Sequence, residues 1–310
     1  MDLDVRRLRV LREVALRGTL AAAAESLGFT PSAISQQLST LQRESGAALL
    51  ERRGGRVRLT QAGQVLVERT EPVLIALDEA RAALEESRGT VAGELRVAAA
   101  GSVARALVIP VLAQVARASP RLHVELLQYE PDDSLREVRL GELDVVVAHE
   151  YEHERRPTQR GLVRVALFAE DLQVVAPAGR FAAPVTLPDL ASEVWAAEPP
   201  DSACGRALRS ACRAAGFEPD VRYNSSESAA VFSAVACAGA VSLVPSLSCT
   251  NHPPGVVIVP LAGAPTRRFV FAAHRPGNPV RPSIRLMIDG LKQATRDITT
   301  LGIWPSDAPE

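Results

Sequence analysis

Apolar residues recur at three- and four-residue steps in the first third of the chain, and in shorter alternating or continuous runs after it. Leu3, Val5, Leu8, Val10, Leu11, Val14 and Ala15 form a helical stripe that Gly18 ends. Thr19 then caps a second short helix carrying Leu20, Ala23, Ala24 and Leu27, whose small alanines admit a close neighbour. After a Gly28-Phe29 turn, Thr30 followed by Pro31 is a helix start: a hydroxyl cap, then a residue whose missing N–H costs nothing there. This third helix is predicted to run to about Ser45, with Ala33, Ile34, Leu38 and Leu41 inward and Ser32, Ser35, Gln36, Ser39 and Arg43 outward. Two short strand-like runs around Gly54-Gly55 predict a hairpin between Leu49 and Thr60. Thr60 then caps a long helix to about Ser87, in which Gly63, Leu66, Thr70, Val73, Leu77, Ala80 and Leu84 make a heptad seam. Pro72 inside that seam predicts a bend, and the polar, glycine-bounded run 85–93 predicts a hinge.

Beyond Gly93 the pattern alternates between strand and helix. Strands are predicted at 95–99, 122–128 and 143–148, with helices at 102–118 and 132–140. A second set follows: strands at 172–176, 221–223 and 241–244 and helices at 202–215 and 227–238, then a strand at 268–273 and a helix at about 282–295. Crossovers through helices imply an α/β fold with a mostly parallel sheet. The stretch 229–247 has no charged residue and nearly bilayer length, but its Ala, Ser and Gly content and Pro245 predict a buried helix followed by a buried strand.

Composition narrows the class. With 47% hydrophobic and 23% charged residues the chain is an ordinary globular sequence. Its net charge of -1 hides a basic first module, where ten arginines face six carboxylates in the first 58 residues. The charged Met1–Val10 segment lacks a signal-peptide pattern, so a cytoplasmic, membrane-free location is expected. Cys204, Cys212, Cys237 and Cys249 are then expected as reduced thiols.

The outward face of the third helix is polar and carries little charge, which suits a major groove. Thr30, Pro31, Ser32, Ser35, Gln36, Gln37 and Ser39 are the candidate contacts. The two glutamines carry the donor and acceptor that read an adenine edge, and the short serines let backbone approach phosphate. Arg52, Arg53, Arg56 and Arg58 around the hairpin tip can reach phosphates or a narrow minor groove, so double-stranded DNA is the expected partner. The long helix, with Leu66, Val73, Leu77 and Leu84 on its seam, would pair two copies so that protein symmetry matches two half-sites.

The segment Leu8 to Gly63, with the run GTLAAAAESLGFTPSAISQQLSTLQRESGAALLERRGGRVRLTQAG at 18–63, resembles the DNA-binding region of LysR-type transcription regulators, in its paired alanines, Ser-x-x-Leu helix, Leu-x-x-Arg wing entry and Leu-Thr-x-x-Gly exit. Ala22, Pro31, Gln36 and Leu50 depart from residues common in that family, so base preferences do not carry over. The resemblance implies a winged helix-turn-helix over 1–59, a linker and dimerisation helix over 60–88, and an effector-binding domain over 89–300. That domain is similar to two-lobed periplasmic binding proteins. Lobe I would span about 93–166 and 268–300, lobe II about 167–267, and 301–310 would be a tail. It also implies a homo-oligomer, a dimer or a tetramer of paired dimers, and no enzymatic activity.

A small-molecule effector would sit between the lobes, where helix N-termini present free N–H groups. Gly101, Ser102 and Val103 at one helix start, Ser202 at another, and Asn224, Ser225 and Ser226 before a third are the candidates, and they favour a carboxylate-bearing effector. Asn224 and Glu227 alternatively fit a capping box. His149-Glu150-Tyr151-Glu152-His153 formally matches the zinc-peptidase pattern, which needs a helix to bring both imidazoles to one face, yet it follows a strand-like run and precedes a loop. No metal or cofactor is expected. Cys204 and Cys212 lie near the cysteine pair of peroxide-sensing members of the family but one residue closer together, with Arg206 and Arg209 at hand to favour thiolate.

Overall fold

The computed structural model describes residues 3–53, 56–87, 91–155, 161–181, 184–263, 266–277, 280–297 and 303–305. The chain divides into two compact units, Met1–Ser87 with Gly277–Arg281, and Arg88–Pro276 with Pro282–Glu310.

In the first unit, α1 (Val5–Arg17) is capped by Asp4 and closed by Gly18 in the left-handed conformation, φ 74°. Thr19 caps α2 (Leu20–Ser26) by accepting from the Ala22 N–H, and Thr30 caps α3 (Pro31–Ser45) by accepting from the Ala33 N–H. Antiparallel β1 (Leu50–Arg53) and β2 (Arg56–Leu59) form the hairpin, and α4 (Gln61–Ser87) follows. Leu8, Leu11, Val14, Ala23, Ala24, Ile34, Leu38, Leu41 and Leu49 share one core, in which the alanines of α2 allow the close helix approach. The Gln42 side-chain oxygen accepts from the N–H groups of Leu49 and Leu50 at 2.9 and 3.3 Å, which fixes the hairpin to α3. A Cβ on Gly63 would lie 2.1 Å from the Leu49 carbonyl oxygen, so glycine lets α4 seat against the hairpin entry.

The seam expected on α4 is divided. Leu66 packs into the core of its own domain, Thr70 and Leu74 are buried, and Glu71 receives Arg12 Nε at 2.6 Å. Val73, Leu77 and Leu84 remain exposed. Leu66 is half-buried against the core of its own domain, unlike the other three seam leucine and valine positions. Pro72 lies inside the helix, which continues past it.

The second unit begins with β3 (Gly93–Ala99) and a continuous helical run: α5 (Gly101–Val103), a π turn at Ala104–Val108, and α6 (Ile109–Ala118). The π turn precedes Pro110, which has no N–H to continue the ordinary ladder. This run is apolar and long enough to cross a bilayer by length and composition, but Val103, Leu107, Val108, Val111 and Val115 are buried as a core face. Next come β4 (Leu122–Leu127), α7 (Pro131–Leu140), β5 (Val145–Tyr151) and β6 (Val163–Pro177). The chain continues through β7 (Val194–Ala197), α8 (Ala203–Ala214), β8 (Asp220–Asn224), α9 (Ser228–Ala238), β9 (Ser242–Pro245) and β10 (Val256–Val259). It closes with β11 (Arg267–His274), α10 (Pro282–Asp297) and β12 (Ile303–Pro305).

The sheet is mixed rather than mostly parallel. Helical crossovers make β3 parallel to β4 and β5, and β7 parallel to β8. The long strand β6 instead pairs antiparallel with β11 along one stretch and with β9 and β10 along another, so it belongs to both lobes. A strand of 15 residues that changes sheets partway is read from sequence as its most apolar segment only, which is why the expected strand was confined to 172–176. The uncharged stretch 229–247 is α9 followed by β9, as expected. One core surrounds Trp195 and Leu208 in lobe II, and another surrounds Val146 and Phe271 in lobe I.

Candidate functional site

Helix α3 presents its polar face outward. Thr30, Pro31, Ser32, Ser35, Gln36 and Ser39 are exposed, while Gln37 is half-buried and less available. Thr30 Oγ1 and Ser32 Oγ lie 2.9 Å apart, and Ser39 donates to the Ser35 carbonyl at 2.8 Å, so the small hydroxyls are held close to the backbone. Phe29, immediately before the cap, is 50% exposed, a large apolar ring at the start of the face that sequence reasoning had taken only as a turn residue. Arg58 is exposed on β2 opposite Glu51. The wing register pairs Arg53 with Arg56. Gly54 and Gly55, and the side chains of Arg52, Arg53 and Arg56, lie outside the described residues.

In the second unit a cleft of about 330 Å³ opens between the lobes. Lobe I contributes Glu130, Asp132 and Asp133 around the start of α7, His149 and Glu150 on β5, and Glu154, Arg164 and Phe271; lobe II contributes Asp201, Ala203 and Arg206 around the start of α8. Arg164 Nη2 binds Glu150 at 2.8 Å and its guanidinium stacks 3.6 Å over the Phe271 ring. Arg206 holds Glu154 through two bonds, of 2.8 and 3.1 Å. Burial, followed by the charges of Arg268 and Arg206, lowers the His149 pKa to about 3, so its imidazole is neutral at physiological pH. Burial raises the pKa of Glu130 and of Glu198, and the two glutamates' mutual repulsion adds to the rise at Glu198.

Beneath this cleft lies a charged knot. Arg268 on β11 and Glu170 on β6 are 3% and 0% exposed and form an ion pair. Arg268 Nη2 also donates to Ser102 Oγ at 3.0 Å, and Glu170 accepts from the Leu247 N–H at 2.6 Å. The knot thus ties β6, the strand shared by both lobes, to β11, to Ser102 at the first helix of lobe I and to the Leu247 backbone.

These geometries coincide with matches to known proteins. A model of the "Bacterial regulatory helix-turn-helix protein, lysR family" matches residues 5–64, and one of the "LysR substrate binding domain" matches residues 88–296. The chain belongs to the LysR family. Among curated relatives, the dual regulator OxyR of Escherichia coli is 26% identical over 94% of this chain and 100% of its own. CbbR of Rhodospirillum rubrum is 24% identical over 94% and 97%. Full-length CbnR bound to its target DNA aligns with TM-score 0.54 at 22% identity over 94% of this chain and 100% of that one. A full-length OxyR variant from Pseudomonas aeruginosa aligns with TM-score 0.65 at 20% identity, covering both chains fully. This LysR-type regulator is accordingly a non-enzymatic DNA-binding protein with an effector-binding domain.

The expected effector residues of the regulator are dispersed. Ser102 is buried under Arg268 and Val103 is fully buried, while Gly101 is exposed. Ser202 spends its hydroxyl on capping, accepting from the Gly205 N–H at 2.9 Å and donating to the Pro199 carbonyl. Asn224 and Ser226 are exposed at the end of β8, and Ser225 accepts from the Glu227 N–H, so the Asn224–Glu227 capping box does not form. None of these seven residues lines the cleft. The acidic lining was missed because it is split between the starts of α7 and α8, some seventy positions apart; the signal present in sequence was Pro131 followed by two aspartates.

The rival chemistries resolve locally. His149 and Tyr151 lie on β5 and Glu152–Glu154 on a 3₁₀ turn, so no helix sets the two histidines of the zinc-like motif on one face. Cys204 and Cys212 both sit on α8, eight residues and about 12 Å of helix rise apart. Burial, with Glu198 adding at Cys204, pushes both thiols up to about 12. Arg206 is engaged by Glu154 and Arg209 by the carbonyls of Glu198 and Gly205, and the favourable charge of Arg209 at Cys212 is outweighed by burial and Glu218.

Proposed function

We propose that this LysR-type regulator reads operator DNA in the cytoplasm with the exposed face of α3, through Thr30, Pro31, Ser32, Ser35, Gln36 and Ser39, while Arg52, Arg53, Arg56 and Arg58 of the wing bind the DNA backbone. The observation that carries this reading is the capped, solvent-facing polar surface of α3 beside an antiparallel hairpin. Two copies pair through Val73, Leu77 and Leu84, seam residues of α4 that are exposed within the unit, as Val65 on the same helix also is, giving a dimer that can assemble further. A small-molecule effector occupies the interlobe cleft and changes operator binding or activation. The carboxylate suggested by the helix N-termini draws no support from the lining, where six carboxylate side chains outnumber two guanidinium groups. Footprinting on the region upstream of the protein's own gene, across a salt series and with and without metabolite pools, tests the assignment. Absence of salt-sensitive protection on any duplex would overturn it.

A further inference from the structure

We infer that the effector of this regulator is an organic cation, an amine or guanidine with a short apolar body, held between Glu130 and Asp133 of lobe I and Asp201 of lobe II. The inference rests on the reading of the interlobe cleft as the effector site. Its first support is charge. Glu150 and Glu154 already hold Arg164 and Arg206, whereas Glu130, Asp133 and Asp201 have no ion-pair partner among the described residues. The starts of α7 and α8 offset about half a charge each. The lining still keeps about three negative charges, which no carboxylate ligand would relieve.

The second support is placement. Glu130, Asp133 and Asp201 line the cleft from both lobes; at Glu130 the Ala203 N–H and the Arg206 charge favour the carboxylate, and the charges of Asp133 and Asp201 oppose it. A cation seated between Glu130 and Asp133 on one side and Asp201 on the other attracts carboxylates of both lobes, which is how occupancy would be felt outside the site. The third is His149, whose neutral imidazole lines the cleft and makes no hydrogen bond to a described residue. It is a ready acceptor for an N–H donor. The walls at Leu135, Leu162 and Phe271 supply apolar contact, and about 330 Å³ suits a small metabolite. Among the described residues no three metal-ligating side chains converge, which separates this lining from a metal site.

Calorimetric titration of the full-length regulator with putrescine and agmatine, against adipate and butanediol as anionic and neutral probes of similar length, tests the assignment. The expected result is saturable binding of a cationic probe, weakened at least about tenfold in Glu130→Gln with Asp201→Asn and also weakened in Asp201→Asn alone. Both variants replace exposed carboxylates by near-isosteric amides, and unchanged thermal unfolding with retained DNA binding verifies that they fold. Adipate or butanediol binding that is lost on Asp132→Trp, an exposed lining position, with thermal unfolding unchanged, would overturn the cation class and leave the effector cleft standing. Cation binding indifferent to both amide variants would overturn the placement. No binding by any probe would overturn the proposal, while the cleft reading stands or falls on footprinting with metabolite pools.

Discussion

Replacing Glu170 by glutamine is the sharpest probe of how the effector domain is held. The change keeps size and leaves an acceptor for the Leu247 N–H, but strips the compensating charge from Arg268, which is 3% exposed. Breaking a buried pair from one side costs about 3–5 kcal/mol, because a charge is left without partner or water. The Arg268–Ser102 bond, a neutral acceptor to a charged donor, is worth about 1.5–3 kcal/mol. Ser102→Ala should therefore destabilise less than Glu170→Gln, and should weaken the effector response without abolishing DNA binding. Combining Glu170→Gln with Arg268→Met removes both charges and should recover most of the loss. Urea unfolding of the full-length protein followed by tryptophan fluorescence measures this. Both tryptophans, Trp195 and Trp304, belong to the effector unit, so the signal reports on it selectively. A Glu170→Gln protein within about 1 kcal/mol of the parent, or a double variant no more stable than the single one, would show that water reaches Arg268 and that the knot does not bind the lobes.

Four further outcomes follow from the same structure. His149 has a folded pKa of about 3 against 6.5 in the unfolded chain; being a base held neutral, it takes up its proton only on unfolding as pH falls below 6.5. It lowers stability by about 1.4 kcal/mol per pH unit through that window, and the His149→Asn protein should lose this slope in acid unfolding curves. A Cβ on Gly205 would lie 1.9 Å from the Pro199 carbonyl oxygen. Gly205→Ala should thus shift α8 or the 198–199 segment, cost about 1–3 kcal/mol or more, and disturb effector binding in calorimetry. Polar substitution of Leu77 and Leu84 should dissociate the dimer in sedimentation with the winged helix still folded, whereas Leu66→Ala should destabilise that domain by about 2–4 kcal/mol in thermal unfolding.

Local chemistry made the N-terminal module legible. Thr19, Thr30, Pro31 and Gly18 act on their own neighbours in the chain, so their caps and stops are written where they operate. Periodicity gave the alternation of strands and helices for the same reason, and the resemblance at 8–63 added the function. Which partner a side chain takes depends on contacts between distant segments. Leu66 and Leu77 share one seam in sequence, yet the first faces its own core and the second faces solvent. Ser102 has the form of a ligand residue until Arg268, 166 positions later, claims its hydroxyl. The acidic character of the cleft exists only because folding brings the starts of α7 and α8 together. Caps, turns and periods are short-range and belong to the sequence; charge in a cavity is a sum over segments that only the tertiary structure assembles.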